Sequence, residues 1–201
     1  MRGFSDAERD RIRDGLVETG RELFTQYGVQ KTTIAELTDP VGIAPSTFYQ
    51  FFDTKDDLYA EVLERESDEI VGPLMANSFE STDDPETAIR RFLRSILDEI
   101  ETNPLMRQVL VDGTAHEYVT RGTEGERRAE RDEELAFILP YVERWHEQGE
   151  LGDTDPKVVA SVIRAATFIT LHQDDIGEDL YPDTRNRMID AVAAGLTESS
   201  R

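Results

Sequence analysis

Apolar residues recur at helical spacing along most of the chain, and the alternation that marks a strand is nearly absent, which predicts an all-α fold of about nine helices. Ser5 and Glu8 form an S-x-x-E capping box ahead of a stripe made by Ile12, Leu16, Leu23, Phe24 and Tyr27, and Gly28 stops that helix. Thr33 and Glu36 repeat the box and open a short helix carrying Ile34 and Leu37, which ends near residues 38–40. Gly42 marks a tight turn. Pro45, favoured in a first helical turn, starts a further helix through Phe48 and Phe52. Thr54 and Asp57 give a third box, and the helix behind it is expected to end near Val71, at Gly72 and Pro73.

Beyond a polar stretch at residues 77–84, Asp84 and Pro85 open a helix to about Thr102, with Ile89, Phe92, Leu93, Ile96, Leu97 and Ile100 on one face. Asn103 and Pro104 break it, and a short helix reaches about Val111. Residues 113–126 carry three glycines and few apolar side chains and read as a loop or a loosely formed helix start. A long helix to Gln148 is expected to kink at Pro140 and stop at Gly149. Asp155 and Pro156 cap a helix with Val158, Val159, Val162, Ile163, Ala166 and Ile169, and residues 182–197 form the last one.

Composition narrows the chemistry. The 201 residues hold 22 Lys+Arg against 43 Asp+Glu, a formal charge of −21, which excludes a generally basic, phosphate-binding surface and confines any nucleic-acid contact to a local site. Residues 1–65 carry 8 basic and 13 acidic side chains, less acidic than the rest yet not basic. Only Lys31, Lys55 and Lys157 are lysine, and the acids are spread over the whole chain, as in proteins of extreme halophiles, where molar salt screens self-repulsion. With no cysteine, thiolate catalysis, disulfides and Cys-ligated metals are excluded. The longest apolar run, residues 158–171, is too short and too polar to span a bilayer, and the charged start reads as no signal peptide, so the expected location is the cytoplasm.

The candidate chemistry lies in residues 33–52, two short helices about a glycine turn, the spacing of a helix-turn-helix. Phe48 and Phe52 face inward with Ile34, Leu37 and Ile43, which leaves Pro45, Ser46, Tyr49 and Gln50 on the outward face. Gln pairs with adenine, Ser bonds bases or phosphates, and a Tyr hydroxyl donates to phosphate. Helix N-termini near Thr33, Pro45 and Thr54 favour phosphate oxygens, and Lys55 adds a full charge.

The stretch TT-IAEL-x3-VGIAPSTFYQFF-x2-K-x2-L, entered through LF-x2-YG-x3-TT at Leu23 to Thr33, resembles the DNA-binding domain of the TetR family of one-component transcriptional repressors over residues 16–63. The remainder is similar to that family only in helix count and order, and in GELGDTDPKVVA at residues 149–160. The resemblance implies DNA contacts from Thr33, Ser46, Thr47, Tyr49, Gln50 and Lys55, a helix-turn-helix domain at residues 1–53 and a helical effector-binding and dimerisation domain at 54–201. Three departures stand out: Ala44 replaces a serine N-cap, Pro45 a basic residue, and Pro40 ends the first motif helix.

By the same resemblance the chain is a homodimer on a pseudo-palindromic operator, released by a small, mostly apolar effector. Candidate effector contacts are Leu97, Met106, Val109, Phe137, Tyr141, Phe168 and His172, and candidate interface residues are Val162, Ile169, Ile189, Val192 and Leu196. His116, His146 and His172 lack metal-ligand spacing, and no nucleophile, phosphate-loop or paired-carboxylate motif supports an enzyme, so neither cofactor nor metal is expected. The alternative is a helical adaptor that has lost DNA binding.

Overall fold

A computed structural model describes residues 4–111 and 135–197, and the described residues are helical throughout, without strands. The elements are α1 (Asp6–Tyr27), α2 (Ile34–Thr38), α3 (Pro45–Phe48), α4 (Lys55–Asn77), α5 (Pro85–Thr102), α6 (Pro104–Val111), α7 (Leu139–Glu147), α8 (Pro156–Ala166), a 3-10 segment (Thr167–His172), α9 (Gln173–Ile176) and α10 (Tyr181–Thr197). The chain divides into two compact units, Met1–Val71 and Gly72–Arg201. The division lies beyond residue 53, where the helix-turn-helix pattern ends, because α4 begins as part of the first unit's core: Leu58, Tyr59 and Val62 are buried there.

In the first unit, α1 and α4 approach closely at Gly20, where a Cβ would stand 3.2–3.3 Å from Phe24, Leu58 and Val62. The Phe24 ring meets Tyr59 edge-on at 5.5 Å. Ile12, Leu16, Phe24, Leu37, Phe48 and Phe52 complete the core. Tyr27 departs from the stripe predicted for α1: it is 51% exposed, since the last turn of the helix outruns the partners that cover Phe24 and its hydroxyl remains in water.

Gly72 and Pro73 do not end α4, which runs through them to Asn77. Both residues are exposed, so water can satisfy the carbonyl that Pro73 leaves unpaired, while Leu74 and Met75 of the next turn are buried. In the second unit α5 packs against α10, α6 and the 3-10 segment, and α8 against α7 and α10. Phe79, from the polar stretch after α4, is 1% exposed and gathers Phe92, Tyr141 and Trp145 at centroid distances of 5.1–5.4 Å.

Pro140 opens α7 instead of kinking a longer helix: residues 136–138 form a turn, and Ile138 donates its N–H to the Leu135 carbonyl at 3.0 Å. The predicted loop at 113–126 and the start of the long helix lie outside the described residues. The α8 pattern was expected to reach Ile169 as one helix, but the α geometry ends at Ala166. There the Thr167 hydroxyl donates to the Arg164 carbonyl and the Thr170 hydroxyl to the Thr167 carbonyl, i−3 bonds that suit the tighter 3-10 winding.

Candidate nucleic-acid interface

The turn between α2 and α3 uses Gly42 at φ 75°, a conformation that favours glycine, and delivers Ala44 in extended geometry as the N-cap of α3. Ala44 has no side-chain oxygen to cap with, and Pro45 at the first helical position has no N–H to be capped. The α-helix is one turn long and continues as turns, with Gln50 and Phe51 donating to the Thr47 and Phe48 carbonyls, so it is shorter than the stretch to Phe52 that the pattern predicted. Its facing is as the spacing requires. Phe48 is fully buried and Phe52 nearly so, while Pro45, Ser46, Tyr49 and Gln50 are exposed and Thr47 is half-buried. The Tyr49 ring stands edge-on to Phe48 with its hydroxyl end in solvent, 58% exposed overall.

Arginines of α1 complete the open end of this turn. Arg9 donates to the Gln50 carbonyl at 3.2 Å and lies over the Phe51 ring, and Arg13 donates to the Phe51 carbonyl at 3.3 Å and lies 4.7 Å from the Phe52 centroid. Arg13 also pairs with Glu61, which Arg65 holds from the same helix. The sequence reading missed these arginines, since their carbonyl partners lie about forty residues away and only the fold brings them together.

The other two helix starts are already capped. Thr33 heads α2 in a full capping box: its N–H and hydroxyl both donate to Glu36 Oε2, at 2.8 and 2.7 Å. Those bonds hold the Glu36 carboxyl below the usual carboxylate range. Thr54 makes the same pair of bonds to Asp57 at 2.9 Å ahead of α4. Lys55 turns back into the protein, donating to the carbonyls of Val29, at 2.8 Å, and Thr32. In this unit, Arg11 and Lys31 are the described cations with no partner among the described residues.

Residues 16–62 match the family model described as bacterial regulatory proteins, tetR family. The match takes in the helix-turn-helix and its flanks, and this stretch is similar to that family. The HTH-type transcriptional activator FasR of Mycolicibacterium smegmatis is 27% identical over 112 residues, 56% of this chain and 49% of that protein. The chain spans about half the length of the curated relatives it matches. Among solved structures, a TetR-family regulator from Pectobacterium atrosepticum is similar over 98% of this chain and all of its own, at 23% identity and a TM-score of 0.71. RolR, solved with resorcinol, is similar over 97% of this chain and 99% of its own, at 20% identity and a TM-score of 0.61. These likenesses establish the TetR-like fold for both units. Both of the curated relatives are described as HTH-type transcriptional regulators or activators.

In the second unit the candidate effector contacts fall into different surroundings. Leu97 is fully buried, Met106 and Phe168 are half-buried, and their elements α5, α6 and the 3-10 segment pack on one another. Tyr141 belongs to the Phe79 cluster instead, where its hydroxyl donates to Glu80 Oε1 at 2.7 Å. Phe137 is 52% exposed, and His172 is exposed with Nδ1 3.0 Å from Asp175. The Val109 side chain and His116 lie outside the described residues. An open groove of about 610 Å³ lined by Asp83, Asp84, Glu86 and Glu150 is acidic, the wrong chemistry for an apolar effector.

Of the candidate interface residues, Val162 is exposed, and Ile169, Val192 and Leu196 are half-exposed. Ile189 is not available to a partner: it is fully buried inside its own unit, where α10 packs on α5 and α8. Among the described residues no group of three or more His, Asp or Glu is placed to hold a metal ion, and no helix is long and apolar enough to cross a membrane.

Proposed function

We propose that this protein is a ligand-responsive transcriptional repressor that binds a pseudo-palindromic operator as a homodimer. The observation that carries the reading is the outward face of α3: exposed Ser46, Tyr49 and Gln50 over a buried Phe48, inside a TetR-type domain. On that reading Gln50 and Ser46 approach base edges, and Thr47, Tyr49 and Thr33 approach phosphate.

The dimer is proposed on α8 and α10. Val158, Val162, Ala165 and Ile169 stand at helical spacing, exposed or half-exposed, beside Met188, Val192 and Leu196 of the packed neighbour. Two-fold symmetry then sets the recognition segments about 34 to 36 Å apart, one turn of DNA. A small, mostly apolar molecule bound in the second unit favours a conformer that no longer fits two successive major grooves, so effector and operator bind antagonistically. RolR, a protein of similar fold, was solved with a small aromatic ligand, resorcinol, which supports a small-molecule site in the second unit.

The low count of free cations supports DNA binding adapted to molar salt, with base contacts supplying more of the free energy than counterion release. The test is fluorescence anisotropy of the protein on fragments from upstream of its own gene, from about 0.2 M to about 2 M KCl, with Tyr49→Ala alongside. Specific binding with a shallow salt slope, lost in the variant, is expected. Binding equal in the variant overturns the assignment of the face, and a steep fall with salt overturns the adaptation.

A further inference from the structure

The turn between α1 and α2 is held by polar bonds to its own carbonyls. Gly28 leaves α1 at φ 77°, Val29 and Thr32 are 7% and 2% exposed, and the Thr32 hydroxyl donates back to the Gly28 carbonyl at 2.9 Å. The carbonyls of Val29 and Thr32 converge on one point, and the ammonium of Lys55 occupies it. An ammonium has three protons and no acceptor, so two of the three are committed. The carboxylate of Glu36 lies near enough to feel the same charge.

We propose that Lys55 is a positioning residue of the DNA interface: it pins residues 29–32 to the start of α4 and so fixes Thr33 and the entry of α2, instead of standing on a DNA phosphate. The family resemblance implies a DNA contact for this lysine; here the geometry points to the opposite direction of donation, into the protein. The chain of action is short. Without the ammonium, two largely covered carbonyls lose their donor, the turn reopens to water, and the N-cap it delivers no longer has a fixed place.

This inference rests on the regulator reading for its effect on DNA, and the experiment separates the two. The full-length protein, Lys55→Met and Lys55→Arg are compared by amide hydrogen exchange without DNA, and by salt-dependent binding to a duplex selected from a random pool with the wild type. A positioning role predicts faster exchange at residues 29–36 in Lys55→Met, and binding weakened about tenfold or more with the slope of log Kd against log salt unchanged. A phosphate contact predicts unchanged exchange and a slope lower by about 0.9. Lys55→Arg keeps the charge but brings a planar fork on a longer stem, so it weakens binding if Lys55 positions and preserves it if Lys55 contacts phosphate. Should Lys55→Met fail to fold, Lys55→Arg decides. If the wild type selects no duplex, the regulator reading fails, and the exchange comparison still decides the role of Lys55; unchanged exchange at residues 29–36 overturns it.

Discussion

The α8 and α10 face makes a paired prediction in which two aliphatic residues of similar character fail in different ways. Ile189 is fully buried and Val162 is 37% exposed. Ile189→Ala removes three carbons from a closed site; at about 0.8 kcal/mol per methylene the transfer term alone is about 2.4 kcal/mol. The cavity adds to it, which puts the loss of folding stability at about 3 to 5 kcal/mol. Val162→Glu leaves the isolated subunit within about 0.5 kcal/mol of the wild type, because the position faces solvent and glutamate is a good helix former.

In the proposed dimer the order reverses. Two-fold symmetry places Val162 twice in the interface, so the variant desolvates two unpaired carboxylates at about 1 to 3 kcal/mol or more apiece, weakening dimerisation by about 10²- to 10⁴-fold. Sedimentation equilibrium and urea unfolding at several protein concentrations read both quantities. The expected result is a folded, dissociated Val162→Glu and an Ile189→Ala that unfolds at lower urea at every concentration. A Val162→Glu that stays dimeric refutes the assignment of the face, and an Ile189→Ala that dissociates without losing urea resistance refutes the packing of α10.

Tyr181 is held protonated by burial and by its bond to Glu101, its pKa pushed up from 10.0 to about 12. Its contribution is therefore present below pH 10, where the unfolded phenol is also neutral, and is lost as pH rises towards 12; urea melts across this range should show the loss, with the step reduced in Tyr181→Phe. Trp145 is fully buried and its indole N–H has no acceptor among the described residues. Trp145→Phe trades a cavity costing about 1 to 2 kcal/mol for relief of an unsatisfied donor of similar size, so circular-dichroism melts should find a net change under about 1 kcal/mol, against about 3 to 5 for Trp145→Ala. A large loss in Trp145→Phe would mean that the N–H has a partner after all.

Local signals in the sequence determine much of this protein. The Ser5 cap, the capping boxes at Thr33 and Thr54, the Asp84 and Asp155 caps, and the prolines that follow those two aspartates fix helix starts through bonds spanning two or three residues, and a window of the chain contains every atom involved. The outward face of α3 follows in the same way, because Phe48 and Phe52 commit one side of the turn to the core. The family resemblance at residues 16–63 was legible for that reason and agrees with the family match at 16–62.

What only the tertiary structure decided depends on residues far apart in sequence. Gly72 and Pro73 read as a stop, yet the helix continues because burial of Leu74 and Met75 outweighs one lost backbone bond. Ile189 belongs to the same apolar pattern as Val192, and only the packing of α10 on α5 and α8 sends one inward and leaves the other half-exposed. Lys55 looks in sequence like a charge offered to DNA, and the arginines of α1 give no sign there of the carbonyls they meet. The fold places carbonyls of residues 23 to 41 positions away within their reach, and a cation given a fixed acceptor inside the protein is spent on holding the interface in shape.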